Sequence, residues 1–364
     1  MNITIDQQQP NRLIVGVDTH KDVHVAAAID ARGALLEVGY FAVSTLGYRR
    51  LMDWAHRLQK TTGAAEVVYG IEGTSSYGAG LVAAIRTIDA QIFEVGRPNR
   101  RDRRLRGKTD AFDAENAARA ILAGTATGTP KTADGAVEMI RIIKSAKHAA
   151  VKARTTAMIS LKNLIVTAPD ELREQLRPLT KMALIRRCAA FRIGHLDDPH
   201  GAVKYALRAV ARRWLYLDVE IKEHEAHLDE LTTTVAPLLR QGCGIGPDAA
   251  AEILTVGGDN FARITSEAAF AKLCGVNPIP ASSGKTSRHR LNRGGHRHAN
   301  AALYRIVIVR MRLDERTKAY VARRTAEGKT KLEIIRCLKR HLVREIWRDT
   351  KSLRQPQTSL RLAA

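Results

Sequence analysis

The sequence is poor in cysteine, in aromatic residues and in long apolar runs. Its four cysteines, at positions 188, 243, 274 and 337, form no CxxC pair, which argues against disulfides or a cysteine zinc site and predicts reduced thiols. Aromatic residues are only 5% of the chain, so its cores are expected to be mainly aliphatic. No apolar run reaches the roughly 18 residues of a membrane span, and residues 1–10 are polar and lack an apolar signal core. These absences predict a soluble cytoplasmic protein with no membrane partner.

Acidic residues are scarce relative to basic ones. The chain has 59 Lys and Arg against 37 Asp and Glu, a formal net charge of +22 at pH 7. Well over half of this excess lies in residues 241–364. Such a balance points to a polyanionic partner, most simply nucleic acid. Charge alone does not separate an enzyme from a binding protein, because histones and ribosomal proteins are basic too.

The first third of the sequence alternates short apolar runs with amphipathic segments. Runs at 13–17 and 66–71 are rich in β-branched residues and too short for helices, so they predict buried strands. Further strands are predicted at 23–30, 35–43 and 91–95. The resulting order, β-β-β-α-β-α-β-α, is that of the ribonuclease-H-like fold, although spacing alone does not exclude other α/β folds.

Four carboxylates in this region form a candidate metal site. Asp18 and Glu72 each end a predicted buried strand, and Asp110 and Asp113 are three residues apart on one face of a predicted helix. Each acid taken singly also has an explanation that needs no metal. An Arg or Lys could neutralise Asp18, and acidic residues in the first turn of a helix interact favourably with the helix dipole. Together they offer the oxygen ligands that a pair of Mg²⁺ ions uses in phosphoryl transfer.

A strongly basic run precedes the acidic pair. Seven of the twelve residues from 97 to 108 are Arg or Lys. Such runs are usually solvated loops, but one next to a carboxylate cluster is also suited to contact a phosphate backbone. The predicted nucleic-acid contacts in this run are Arg100, Arg101, Arg103, Arg104, Arg106 and Lys108.

The middle of the chain is strongly helical in composition. Residues 124–130 resemble a linker, and a long helix is predicted from 202 to 235. Apolar residues recur along it at alternating spacings of four and three, with His224 at the one polar place, which indicates a coiled-coil seam. The two explanations are a hairpin within one chain and a dimerising coiled coil, and the length and narrowness of the seam favour the dimer. The apolar seam positions are Val203, Leu207, Val210, Trp214, Leu217, Ile221, Leu228, Leu231 and Val235.

The last third contains a glycine-rich turn and a serine loop. Residues 237–250 have the form of a helix-hairpin-helix, although a plain tight connection between helices would look similar. Ser282-Ser283-Gly284 is followed by five Lys or Arg, three His and no acid up to His298. A serine needs a base, a metal or charge stabilisation to act as a nucleophile, and this basic run could supply the last. The predicted contacts here are Lys285, Arg288, Arg290, Arg293 and Arg297.

Six short motifs resemble one known family. Gly-Val-Asp-Thr-His-Lys at 16–21, Gly-Ile-Glu-Gly-Thr at 70–74 and Lys-Thr-Asp-Ala-Phe-Asp-Ala at 108–114 resemble the acidic motifs of the DEDD transposases of the insertion-sequence 110 family, which includes the pilin-gene invertase. Leu-Cys-Gly-Val-Asn-Pro at 273–278, Ser-Ser-Gly at 282–284 and Asn-Arg-Gly-Gly-His-Arg at 292–297 resemble its C-terminal transposase domain. Gly295 stands where that family commonly has asparagine.

The resemblance carries expectations about the site and the partners. It implies a RuvC-like N-terminal domain in which Asp18, Glu72, Asp110 and Asp113 hold Mg²⁺ (or Mn²⁺). It implies that Ser283, or Ser282 one place before it, attacks DNA and forms a covalent phosphoserine. It also implies that a homo-oligomer, a dimer or tetramer, acts on donor and target DNA with a structured bridge RNA.

The predicted organisation is α/β followed by all-α. A RuvC-like domain is expected at 11–126, a helical coiled-coil spacer at 134–236, a C-terminal transposase domain at 237–350 and a tail at 351–364. The predicted function is that of a bacterial, nucleoid-associated transposase that moves its own insertion sequence. The alternative is a metal-dependent DNA nuclease or Holliday-junction resolvase that uses water as the nucleophile.

Overall fold

A computed structural model describes residues 11–96, 109–284 and 289–355. The chain divides into two compact units, Met1–Ala133 and Asp134–Ala364. The first unit is α/β and the second is almost entirely helical, as the sequence predicts. No helix within the described ranges combines the length and apolarity needed to cross a bilayer.

A five-stranded mixed sheet forms the centre of the first unit. Its strand order is β3-β2-β1-β4-β5; β2 pairs antiparallel with β1 and β3, whereas β4 pairs parallel with β1 and β5. This topology is consistent with the ribonuclease-H-like fold expected from the sequence. The strands are β1 (Arg12–Asp18), β2 (Val23–Ile29), β3 (Leu35–Ala42), β4 (Glu66–Glu72) and β5 (Gln91–Val95).

Helices cover both faces of this sheet because the central strands are apolar on both sides. Leu13, Val15 and Val17 of β1 belong to the core formed with α1 (Thr45–Thr62) and α2 (Ala79–Arg86). The alternate residues of β1 face α3 (Asp110–Leu122), which packs on the opposite side. The order of strands and helices therefore agrees with the prediction.

The segment expected as a linker, 124–130, is packed against the first unit. Gly128 forms an antiparallel bridge with Glu94, whose backbone N–H donates to the Gly128 carbonyl at 2.6 Å. The Arg86 guanidinium donates to the carbonyls of residues 130–132 at 2.9–3.1 Å. These contacts make the segment part of the first unit, because its backbone groups have partners on β5 and α2.

The second unit contains ten described α-helices, counted over 134–284 and 289–355. They are α4 (Ala136–Val166), α5 (Asp170–Leu176), α6 (Lys181–Ala189), α7 (Pro199–Val235), α8 (Pro237–Arg240), α9 (Pro247–Gly257), α10 (Glu267–Leu273), α11 (Arg297–Leu313), α12 (Glu315–Ala326) and α13 (Lys331–Asp349). The two-residue strands β6 (Ile279–Pro280) and β7 (His289–Arg290) pair antiparallel. The sequence did not predict α12, since only Thr317 of its residues is buried and it has no apolar face.

The long helices α4 and α7 form an antiparallel hairpin within one chain. Lys147 pairs with Glu225 at 3.0 Å, and further along α4 Arg154 pairs with Asp218, earlier on α7. Trp214 of the predicted seam is 3% exposed and belongs to the core shared by α4, α5, α6 and α7. Part of the seam is therefore already covered by α4, and pairing of the rest with a second chain stays a prediction.

The region expected as a helix-hairpin-helix consists of the four-residue helix α8, a turn and α9. Asp248, in the first turn of α9, accepts hydrogen bonds from Lys144 and Lys147 of α4. Burial alone would raise the pKa of Asp248, but these two ammonium groups outweigh it and hold the pKa at about 2. The turn is thus anchored to α4 by charge, and its role in DNA binding stays a prediction.

The end of the chain and the cysteines complete the second unit. The segment predicted as a tail begins with a 3₁₀ turn, Lys351–Arg354, whose Arg354 guanidinium lies 3.7 Å from the centre of the Trp347 ring. All four cysteines are free thiols, as expected. Cys188 and Cys274 are buried, which raises their pKa to about 11 and about 12 and keeps them unreactive.

Candidate functional site

Two of the four predicted acids end neighbouring parallel strands. In the β1–β4 register Gly16 pairs with Gly70 and Val17 with Ile71, so Asp18 and Glu72 come next, side by side. The Thr19 hydroxyl donates to the backbone carbonyl of Glu72 at 2.9 Å and ties the two strand ends together. Because side chains alternate along a strand, Asp18 and Glu72 share the face of Gly16 and Gly70, which is the face that α3 covers.

The paired glycines allow α3 to approach the sheet very closely. A Cβ atom on Gly16 would lie 2.1 Å from the Ala114 carbonyl oxygen and 2.3 Å from the Ala118 nitrogen, both backbone atoms of α3. A Cβ on Gly70 would lie 2.5 Å from the Ile121 side chain. The absence of side chains at these two positions therefore brings the first turn of α3 to the ends of β1 and β4.

The other two predicted acids lie in that first turn. The Thr109 hydroxyl caps α3 by accepting from the Phe112 N–H at 3.2 Å, and Asp110 and Asp113 follow it. Asp113 is 2% exposed, whereas Asp110 is exposed. The structure thus brings Asp18, Asp110 and Asp113 together, as the sequence predicts.

Burial and crowding of like charges make Asp18 costly to ionise. Asp18 is 8% exposed. Burial raises its pKa above the ordinary 3.8; the nearby His20 opposes this, and the charges of Asp113 and Asp110 raise the pKa further. A buried carboxylate facing two others is a common arrangement at cation sites, because a bound cation relieves the repulsion.

One residue at this site was not expected from the sequence. His20, which the sequence alone does not single out, has its Nε2 atom 3.2 Å from Asp18 Oδ2 and 3.5 Å from Asp110 Oδ1. One donor atom from each of these three residues falls within a group no wider than 4.8 Å. The only available signal was its position two residues after Asp18, which is weak evidence by itself.

Glu72 and Asp113 share a cleft beside this group. The cleft has a volume of about 510 Å³, and Asn116, Arg119 and Gly96 also line it. Its lining includes two carboxylates and the side chain of Arg119 on α3, whose guanidinium pairs with Glu115 of the same helix at 2.6 Å. All four predicted acids therefore lie either in the three-residue group or on the wall of this cleft.

The predicted basic contacts near the acids lie outside the described residues. These are Arg100, Arg101, Arg103, Arg104, Arg106 and Lys108. The described chain leaves the sheet at Gly96, on the wall of the cleft, and resumes at Thr109, which caps α3. The described residues on either side of the run therefore lie on the wall of the cleft and at the start of α3.

The predicted nucleophile lies in the second unit, on a small hairpin. Ile279 pairs with Arg290 and Pro280 with His289, and Ser283 lies in the loop between these strands. Ser282 and Ser283 are both exposed, and Gly284 after them has a φ of +53°, which favours glycine. Of the basic residues predicted here, Arg290, Arg293 and Arg297 are exposed, and Lys285 and Arg288 lie outside the described residues.

Close packing explains why glycine stands at position 295, where the family pattern commonly has asparagine. A Cβ atom at this position would lie 2.2 Å from the nitrogen and 2.3 Å from the Cα of Gly275. The neighbouring Asn292 is fixed by donating to the Lys272 carbonyl at 3.1 Å and by accepting from the Gly294 N–H at 2.8 Å. In this chain, contact between two glycines holds the segment that follows the serine loop.

The close approach at Gly16 leads to a testable expectation. Gly16→Ala is expected to push α3 off the sheet, because the added Cβ meets backbone atoms that cannot rotate away. Overpacking of this kind costs about 1–3 kcal/mol of the free energy of unfolding, and it also displaces Asp110 and Asp113. Gly194→Ala is the matched control, since nothing lies within 4 Å of a Cβ built there. An unchanged denaturation midpoint and unchanged metal binding for Gly16→Ala would contradict the proposed packing.

Two family models match the chain in separate blocks. The IS110 DEDD model, described as "Transposase", matches residues 15–168, and the model "Transposase IS116/IS110/IS902 family" matches residues 236–322. The first block contains all four acids, and the second contains the serine loop. Between them they cover about two thirds of the chain.

A curated protein also resembles part of the chain. It is the insertion element IS900 uncharacterized 42 kDa protein of Mycobacterium paratuberculosis, 27% identical over 141 residues. The matched stretch is 38% of this chain and spans about a third of the relative, 35% of its length. The two family models, the geometry of the acidic residues and this relative agree: the chain belongs to the IS110 family of DEDD transposases.

Proposed function

We propose that this protein is the transposase of an insertion sequence. It cleaves and rejoins DNA with Ser283 as the nucleophile and with the help of a divalent cation. The observation that carries the proposal is the convergence of Asp18, Glu72, Asp110 and Asp113 on one edge of the sheet, where Asp18 is buried at electrostatic cost. Among the described residues, the charged groups that act on Asp18 are His20, which lowers its pKa, and Asp113 and Asp110, which raise it.

The residues present fit a divalent cation. Carboxylate oxygens are the ligands that Mg²⁺ and Mn²⁺ prefer, and the four acids offer more of them than one ion needs. Asp18, Asp110, Asp113 and Glu72 would hold the cation. When bound, it supplies charge stabilisation for the oxygens of a phosphodiester during displacement. Gly16 and Gly70 let α3 pack closely on the sheet, and this packing keeps Asp110 and Asp113 next to Asp18. Little reorganisation of the acids is therefore needed when a phosphate binds.

Ser283 is proposed to attack the scissile phosphate. Its hydroxyl oxygen forms a bond to phosphorus and loses its proton, the bond from phosphorus to the 3′ oxygen breaks, and that oxygen leaves as a 3′-hydroxyl after gaining a proton. A 3′-hydroxyl of the other DNA then attacks the phosphoserine, restores the serine hydroxyl and rejoins the strand. The number of phosphodiester bonds is conserved, so no nucleotide hydrolysis is required.

The charge of the chain supports nucleic-acid partners. Arg290, Arg293 and Arg297 are exposed near the serine and are suited to hold the phosphates that flank the attacked bond. The basic run from 97 to 108 is proposed to contact DNA or RNA beside the acids, since the residues that flank it, Gly96 and Thr109, lie on the cleft wall and at the start of α3. Donor and target DNA and a structured bridge RNA are the proposed partners, and the bacterial nucleoid is the proposed location.

Assembly and domain roles are also proposals. The half-buried positions of the α7 seam, His224 among them, would pair with a second chain in a dimer or tetramer. The turn from 242 to 246 would contact a DNA phosphate as a helix-hairpin-helix does. The acidic domain at 11–126, the spacer at 134–236 and the transposase domain at 237–350 would then be separate functional parts, with 351–364 as a tail.

A search for a covalent intermediate tests the proposal. Purified protein is incubated with labelled donor and target DNA, Mg²⁺ and RNA transcribed from the non-coding end of the element, and is then denatured. A protein–DNA adduct that requires Mg²⁺ and survives denaturation is the expected result. Mg²⁺-dependent cutting without an adduct would instead favour the nuclease or resolvase that uses water.

A further inference from the structure

The Nε2 atom of His20 is buried between two carboxylates without a hydrogen bond. It lies 3.2 Å from Asp18 Oδ2 and 3.5 Å from Asp110 Oδ1, yet it satisfies hydrogen-bond geometry with no described residue. The remainder of the side chain is partly open, with 43% of its surface exposed. The ring nitrogen and the two carboxylate oxygens thus face one another at the end of β1, so a cation placed between them would contact all three.

The spacing of the three residues suits a shared cation. Neighbouring ligands of one ion, bound at about 2.1 Å and at right angles, are about 3 Å apart. The separations of 3.2 and 3.5 Å from Nε2 to the two oxygens are close to this value. The group Asp18, His20 and Asp110 is also the only set of three such donors within 4.8 Å across 11–96, 109–284 and 289–355.

The backbone beside His20 is fixed independently of any cation. Thr19, which precedes it, is 8% exposed and donates to the Glu72 carbonyl at 2.9 Å. Gly73, after Glu72, has a φ of +67°, and a Cβ atom there would touch the Thr19 hydroxyl at 3.0 Å. The residue that carries the imidazole therefore has a defined position at the end of β1.

We infer that His20 is a nitrogen ligand of the cation at the acidic site and that it shifts the preference of this site from Mg²⁺ towards Mn²⁺. The inference rests on the proposed function, which assigns a cation to the acids. Mg²⁺ binds oxygen ligands and retains water, whereas imidazole nitrogen adds affinity for transition metals. One nitrogen among the oxygens thus changes which ion binds, with no change in the acids.

Magnetic resonance of bound Mn²⁺ tests this ligand directly. The full-length protein is stripped with a chelator, loaded with Mn²⁺ alone and examined by electron–nuclear double resonance for coupling to ¹⁴N. Wild-type protein is expected to show the coupling of a directly bound nitrogen, and ¹⁵N-histidine labelling should convert it to a ¹⁵N coupling. His20→Gln is expected to lose it. His56→Gln, which alters an exposed histidine on α1, should keep it.

Titration calorimetry gives the selectivity. His20→Gln is expected to weaken Mn²⁺ binding on the order of tenfold and Mg²⁺ binding no more than about twofold. Equal weakening of both ions would overturn the selectivity claim and assign His20 a role in positioning the acids only.

These measurements distinguish a failure of the His20 proposal from a failure of the proposed cation site. Mn²⁺ binding that is lost in Asp18→Asn but carries no nitrogen coupling in wild-type protein would overturn the His20 ligand and leave the acidic site standing. No binding of Mn²⁺ by wild-type protein would overturn the ligand and count against the acidic site as well. The wild-type spectrum alone decides the first case, even if a variant fails to fold.

Discussion

Asp18→Asn is expected to reduce DNA cleavage and strand transfer on the order of 10³-fold, while it stabilises the protein in the absence of metal. The loss follows because an amide replaces the buried candidate ligand at the end of β1, and a contribution of about 4 kcal/mol to transition-state stabilisation corresponds to that factor. The gain follows because the wild-type carboxylate is buried beside two others. The same substitution thus has opposite effects on activity and stability.

The stability that Asp18→Asn gains in the absence of metal depends on pH in a definite direction. Since burial raises the pKa of Asp18 above 3.8, the folded protein binds its proton more tightly than the unfolded chain does. The stability contributed by this group is complete below pH 3.8 and is lost as pH rises through the folded pKa. The melting temperature of Asp18→Asn in EDTA should exceed that of wild type at pH 7, by about 3 °C if the penalty is about 1 kcal/mol. The excess should shrink towards pH 4.

Asp53→Asn serves as the control for both measurements, because Asp53 is exposed on α1 and distant in sequence from the acids. It should change neither the activity nor the melting temperature at pH 7. A lower melting temperature for Asp18→Asn than for wild type in EDTA would contradict the account of Asp18 as a residue held at a cost to stability. Retained cleavage would contradict its role in the reaction.

Ser283→Ala is expected to abolish the covalent protein–DNA adduct and to reduce strand transfer by on the order of 10⁴-fold or more, as loss of a nucleophile does. Ser283 is exposed in the loop between β6 and β7, so the loss of its hydroxyl creates no cavity and leaves no buried group unpaired. The melting temperature and Mn²⁺ binding should therefore stay at wild-type values. Gel analysis of denatured reactions measures the adduct.

Ser282→Ala is the matched control, since it removes the same hydroxyl one position earlier in the same exposed loop. It should retain the adduct. If Ser282→Ala loses the adduct and Ser283→Ala keeps it, the nucleophile is Ser282. If both variants cleave DNA normally, the serine loop is not catalytic and the water-dependent nuclease is favoured.

The four acids could be predicted because each has a local signal. Asp18 and Glu72 follow short apolar runs, and the parallel pairing of β1 with β4 makes the ends of those runs neighbours. Asp110 and Asp113 are three residues apart after a capping Thr109. Local propensity and periodicity determine such features, so the order of elements in the first unit could be predicted in the same way.

His20 could not be predicted, because its environment depends on a contact with Asp110, 90 residues later in the chain. That contact requires α3 to lie against the paired glycines of β1 and β4, and the sequence gives no direct sign of this packing. The α7 seam is similar: its periodicity predicted that the helix is covered, but not that α4 of the same chain covers part of it. Patterns identify which residues need partners, and only tertiary structure identifies the partners.

Sequencing of the joined DNA product tests most directly whether this protein is a metal-dependent transposase. Purified full-length protein is supplied with donor DNA, target DNA, the RNA of the element and Mg²⁺, and the junctions between the two DNAs are sequenced. Wild-type protein is expected to form junctions at one defined position, and none are expected when EDTA is added or when Asp18→Asn replaces the wild type. Junctions formed at the wild-type rate by Asp18→Asn, or in the presence of EDTA, would contradict a metal-dependent reaction at these acids.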